Sequence, residues 1–190
     1  ASIRPENIAA KAFWNLMYPA HPYGWDVSPE SVASITRDDL VEFHQQHYTA
    51  KRASVTVVGD VSREQAEILV QDLTADLPLG AAGEPDVPQA RPLTAPIEQR
   101  IAHPATQAHV LLGLPAIKRG DPDFFPLVVG NYTLGGGGFV SRLMKEVREK
   151  RGLAYSVSSH FMPLSLQGPF QISLQTKKAQ ADEALGVVRD

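Results

Sequence analysis

The sequence predicts an α+β fold: a mixed, largely antiparallel sheet with helices packed on one face. Three observations carry this. Apolar residues recur at three- and four-residue spacing in Ile8, Ala9, Ala12, Phe13 and Leu16, and again in Phe139, Val140, Leu143, Met144 and Val147, each set marking one buried helical face. Alternation over 153–161 and 168–174 marks strands with two unlike faces. The valine-rich stretch Ser54–Val58 cannot stay exposed and alone without inviting aggregation, and its natural partners are strands near 107–114 and 168–176.

The elements follow in order. A first helix starts near Pro5 and stops before Pro19. Ser28 and Pro29 suit the cap and first residue of a short helical turn. Thr36 with Asp39, and Ser62 with Gln65, form capping boxes for two further helices, the first running to about His47 with Leu40 and Phe43 on its packed side, the second carrying Ala66, Leu69 and Leu73. Between them lies the β-branched strand Ser54–Val58, closed by Gly59 and Asp60. From Pro78 to Pro96 five prolines (78, 85, 88, 92, 96) and two glycines leave no periodic pattern, which reads as a linker. Strands are expected at Ile97–Ile101 and Gln107–Leu114. A helix opening at Asp121-Pro122 should bury Phe124, Phe125, Val128 and Tyr132, and a strand should span Gly168–Thr176.

The richest stretch is Asn131–Val157, NYTLGGGGFVSRLMKEVREKRGLAYSV. Four glycines feed an amphipathic helix whose polar face offers Arg142–Glu146 and Lys145–Glu149 at i,i+4 spacing. Lys150 and Arg151 favour its C-terminal end, and Gly152 suits a left-handed cap. A strand follows at once, with Leu153, Tyr155, Val157, Ser159 and Phe161 on one face. Arg148 and Tyr155 flank the corner, so a guanidinium and a phenol can face the same space and grip an extended peptide. The plainer alternative makes Arg148 a solvated helix-end charge and Tyr155 a core strand residue.

Other features read more simply. Val140 and Ser141 break both G-x-G-x-x-G registers of the tetraglycine, and no G-K-[ST] follows, so it reads as a tight turn with close backbone packing. His44 and His47 lie at i,i+3 without a third ligand at a standard spacing, and His21 reads as a loop residue contacting its turn.

The run Leu134–Val157, the HPYG at His21–Gly24, TRDDLVEFHQQHY, SVTVVGD and GPFQISLQT, in this order, resemble the insulinase/pitrilysin-type zinc metallopeptidases over nearly the whole chain. The resemblance implies that Arg148 and Tyr155 bind the substrate backbone opposite a zinc centre. The inverted motif H-x-x-E-H of that family is missing: none of the six histidines (21, 44, 47, 103, 109, 160) has a Glu three residues on and a His four on. H-E-x-x-H is missing as well.

The resemblance therefore implies a piece of a zinc peptidase subunit that supplies the peptide clamp, inactive alone. Zinc would reside in the parent enzyme or in a homologous partner subunit or half. The partner-subunit reading leads; a single active protease or a non-enzymatic assembly homologue is the alternative. Residues 1–77 resemble the tail of one half-domain and 97–190 the head of the next, with 78–96 between. Together they can close into one permuted domain, within a chain or by exchange in a homodimer. Ala1 and Asp190 are read as cut points, and the relatives implied are often periplasmic, with the cytoplasm as the other option.

Composition fits this. A hydrophobic fraction of 43% and a charged fraction of 21% are ordinary for a globular fold. A net charge of −3 gives no basic footprint for nucleic acid. Zero cysteines exclude disulfides and thiolate metal sites, and no apolar run reaches the roughly 18 residues of a membrane span.

Overall fold

A computed structural model describes residues 4–80 and 87–190 of the chain. Two units separate by their internal contacts: Ala1–Asp26 with Pro88–Asp190, and Val27–Val87.

The first unit is built on a three-stranded antiparallel sheet of β1 (Gln107–Ile117), β2 (Ser156–Phe161) and β3 (Gly168–Lys177), in the order β1-β3-β2. The α+β class is thus as expected, and the ladder is antiparallel throughout, with one isolated parallel bridge at Lys118 and Leu164. Register shifts between Pro115 and Ile117, where the proline has no N–H to give the ladder. Pairing sets the faces. Val110, Leu112, Ile172, Leu174, Val157 and Ser159 share one of them. Against it pack Leu143, Met144 and Val147 from the segment before β2, and Ala184 from α6 (Ala181–Arg189), completing a core with Leu153 and Ala154. Each fully buried aliphatic of this kind is worth about 1.5–3 kcal/mol.

The helix α1 (Pro5–Met17) forms as its periodicity predicts and ends before Pro19. It lies over the other face of β1, where Glu6 Oε2 approaches His109 Nε2 (3.9 Å). A side chain at Gly113 would come within 2.7 Å of Phe13 Cζ, so the glycine permits this approach. The apolar side of α1 is half-buried because Ile8, Phe13 and Leu16 line a cleft of about 690 Å³ shared with residues 93–101, β1 and α6.

HPYG is an internal clasp. His21 is buried; its Nδ1 accepts from Tyr23 N (3.1 Å), so the proton sits on Nε2, which donates to Pro88 O (2.7 Å). Tyr18 donates to Gln167 O (2.9 Å), and Tyr23 Oη accepts from Leu166 N (3.0 Å). Burial, and secondarily the neighbouring Tyr23, pushes the Tyr18 phenol from 10.0 up to about 12, so it stays a donor. Two polar ring groups thereby fasten the end of α1 to the turn between β2 and β3.

The second unit holds α2 (Pro29–Ala33), α3 (Arg37–His47) and α4 (Arg63–Thr74). All three expected caps are present, with Thr36–Asp39 and Ser62–Gln65 bonding reciprocally and Ser28 pairing with Ser31. Ala50 N donates to Pro78 O (2.8 Å), tying the chain after α3 to the segment after α4. Leu40, Phe43, Leu69 and Leu73, expected to be packed, are exposed.

Several expectations need correction. Ser54–Val58 forms no ladder with any described strand, and Val58 is 92% exposed. A β-branched run makes a strand only when another backbone supplies its hydrogen bonds, and these residues belong to the separate unit. Ile97–Ile101 is extended but unladdered; Arg100 fastens it to α6 through Asp182 (2.9 Å). The helix after Asp121-Pro122 is α5 (Phe124–Asn131), with Phe124 half-buried and Phe125, Val128 and Tyr132 exposed. Its residues are apolar on all sides, so periodicity could not tell which side packs. Within 78–96, residues 81–86 lie outside the described residues, and 87–96 carry no regular element.

Candidate functional site

The corner between residue 131 and β2 departs from a plain helix in ways that create the site. After α5 the chain widens, Gly137 N donating to Tyr132 O (2.9 Å), five residues back. Gly135 is buried against β2: a side chain there would meet Ser159 N at 2.6 Å and Leu143 Cδ1 at 2.7 Å. This is the close packing expected of the tetraglycine. Asn131 seals the contact, its Nδ2 donating to Ser159 O (2.9 Å) and its Oδ1 accepting from Ser159 Oγ (2.5 Å).

The helical segment then starts later than its periodicity implies. Gly138–Val140 is a single tight turn, and Ser141 caps the helical turn after it, Lys145 N donating to Ser141 O (3.0 Å). Phe139 and Val140, expected on the buried face, therefore precede the helix and are exposed. Over Met144–Glu149 the helix is again widened, with Lys150 N donating to Lys145 O (3.0 Å). Such π-type turns are rare overall and are frequent at functional sites. Gly152 caps the end at φ +63°, with Gly152 N donating to Arg148 O (2.9 Å), as predicted.

The ion pairs differ from those expected. Arg142–Glu146 and Lys145–Glu149 do not form. Glu146 instead takes Lys150 Nζ (2.7 Å) and Arg151 Nη1 (2.9 Å). Hydrogen bonds from Lys150, then Arg151, hold the Glu146 carboxyl down from 4.5 to about 2. Because the folded value is depressed, this brace is complete above 4.5 and is lost as pH falls through about 2. In acid titrations followed by circular dichroism, Glu146→Gln should be less stable than the native chain at neutral pH, and the difference should close by pH about 2.

The structure brings Arg148 and Tyr155 together. Arg148 Cζ lies 5.8 Å from the centroid of the Tyr155 ring. Tyr155 is 72% exposed, so it is no core strand residue. It escapes the alternation because β2 starts one residue later; Tyr155 N still reaches Gln175 O (2.9 Å) while its ring turns outward. Among the described residues the Arg148 guanidinium has no hydrogen-bond or carboxylate partner, and Glu146 pairs with Lys150 and Arg151 instead. Arg148 Cζ also sits 5.1 Å from the centroid of Phe139, a residue the periodicity had assigned to the core. The signal that would have found Phe139 is Ser141, whose type favours a helix cap and so excludes 139–140 from the helix.

No three side chains of His, Asp or Glu converge among the described residues. His44 stacks on Tyr48 (4.9 Å), and His47 Nδ1 lies 3.0 Å from Arg52 Nη1. Among the described residues, neither histidine is thereby joined by two further ligands of the kind a structural or catalytic zinc requires. Elemental analysis after dialysis should find far less than one zinc per chain; about one tightly held zinc with chelator-sensitive cleavage would refute this. Among the described residues, no helix is long and apolar enough to cross a membrane.

The family described as the peptidase M16 inactive domain matches residues 34–190. A Streptomyces coelicolor protein described as an uncharacterized zinc protease is 34% identical over 168 residues, 85% of this chain and 36% of its own length. A Mycobacterium bovis protein with the same description is 36% identical over 160 residues, 82% of this chain and again 36% of its own length. Among solved structures, a peptidase M16 inactive domain from Pseudomonas fluorescens superposes with a TM-score of 0.91 at 38% identity, covering all of this chain and 46% of that one. The chain thus spans under half the length of these relatives.

Proposed function

This chain belongs to the peptidase M16 inactive-domain family, and from that premise we propose that it supplies the substrate-gripping wall of a zinc-dependent peptidase whose metal resides in a homologous half or partner subunit. One observation carries the reading: a guanidinium without a carboxylate partner among the described residues stands beside an exposed phenol at the end of a widened helix. Both groups are hydrogen-bond donors, and the unpaired donors of an arginine at such a corner suit the carbonyl oxygens of an extended peptide. Tyr155 contributes its O–H and a flat ring on which a peptide can lie. In this reading the corner holds substrate and leaves hydrolysis to the partner. The periplasm is the compartment proposed for the assembly, tested by cell fractionation.

The experiment is a titration of the 190-residue chain with a fluorescent, terminally capped extended decapeptide. The native chain should bind it, and Arg148→Ala with Tyr155→Phe should abolish binding while leaving the amide spectrum of the fold unchanged. Equal binding by the double variant would return the corner to a structural role.

A further inference from the structure

Arg148 is held against two rings. Its Cζ lies over Phe139 at 5.1 Å and over Tyr155 at 5.8 Å, and both rings are themselves largely exposed, 68% and 72%. An exposed phenylalanine contributes little to the core, and Phe139 makes no ring contact with another aromatic side chain among the described residues. Its place is set by the backbone: Gly138 at φ +60° turns the chain, and the Ser141 cap fixes where the helix begins. Phe139 is thereby presented nine residues before Arg148 yet in contact with it.

A guanidinium carries its donors in its plane and is weakly hydrated on its faces. Rings packed against it leave the in-plane N–H groups available while removing rotamers that would point them elsewhere. A free arginine side chain loses this freedom only on binding, which weakens the complex; one already confined loses less. No carboxylate among the described residues confines it, Glu146 lying two residues away on a different side and paired with Lys150 and Arg151. We propose that Phe139 is a positioning residue: it confines the Arg148 guanidinium beside Tyr155 so that both donors converge on one backbone carbonyl of an extended peptide. This rests on the clamp reading and adds to it the group that presets the clamp.

The test pairs a spectroscopic signature with binding of the capped decapeptide. In the native chain, ring currents should move the Arg148 side-chain proton resonances away from those of a solvated arginine. Phe139→Leu should reduce that displacement and weaken peptide binding by about two- to five-fold, the range of an exposed cation–π contact. Phe139→Trp, keeping a ring, should restore both. Should Arg148→Ala weaken binding while Phe139→Leu does not, or should leucine and tryptophan behave alike, the positioning role is overturned and the clamp stands. If the native chain and Arg148→Ala bind equally, or neither binds, the clamp falls and the role of Phe139 in it falls too.

Discussion

If the proposed clamp operates in an assembled parent peptidase, Arg148→Ala should lower its peptide cleavage about 10²–10³-fold, equivalent to ~2.7–4 kcal/mol of lost transition-state stabilisation. On that reading the magnitude follows from removing a charged donor from an oxygen whose charge grows during hydrolysis. Tyr155→Phe removes a single neutral donor and should cost less. Because a clamp also grips the ground state, KM rises alongside the fall in kcat. Assembly and zinc content should be unchanged in both variants, since Arg148 forms no structural ion pair among the described residues and Tyr155 is exposed. Steady-state kinetics on a peptide substrate, with metal content measured on the same samples, decide the matter. Unchanged kinetics in both variants would leave the pair as solvated surface residues. A loss of zinc or of assembly would show that the effect is structural.

What could be read in the sequence was mostly local. Thr36 reaches Asp39 and Ser62 reaches Gln65 within three residues, so helix starts were legible from residue type and spacing. Gly152 at the end of a basic turn was legible for the same reason. The strands at 107 and 168 were found, and each is paired along most of its length. Ser54–Val58 had the right residues but no partner among the described strands, and a ladder is a property of two segments. The site itself was half legible. Arg148 and Tyr155 were named by the corner, but the outward turn of Tyr155 depends on β2 starting at Ser156 against Gln175. Phe139 was hidden because its spacing to Leu143 and Val147 fits one helical face, whereas Ser141 caps the helix after it and leaves 139–140 in the preceding turn.

Gly135→Val should destabilise the chain by about 3 kcal/mol, the upper part of the usual range for overpacking a well-filled interior. The neighbours of Gly135 cannot give way together. Its missing Cβ would stand 2.6 Å from Ser159 N, on a strand paired to β3 through Ile172, and 2.7 Å from Leu143 Cδ1, a core side chain. Ser159 is further held by both ends of the Asn131 amide. Any relief must separate the tetraglycine turn from β2 or push Leu143 out of the core. Gly138→Ala is the control for backbone strain alone. Its backbone is left-handed (φ +60°), yet a Cβ there meets nothing within 4 Å, so only conformational strain of about 1–2 kcal/mol applies. Urea unfolding of the two variants against the native chain separates packing from strain. A Gly135→Val midpoint no lower than that of Gly138→Ala would mean the turn relaxes freely, and the rigid seat claimed for Phe139 and Arg148 would lose its foundation. The expected result ties the glycine run to the clamp: the same close approach that excludes a side chain at 135 fixes where the helix starts, and so where Arg148 meets Tyr155.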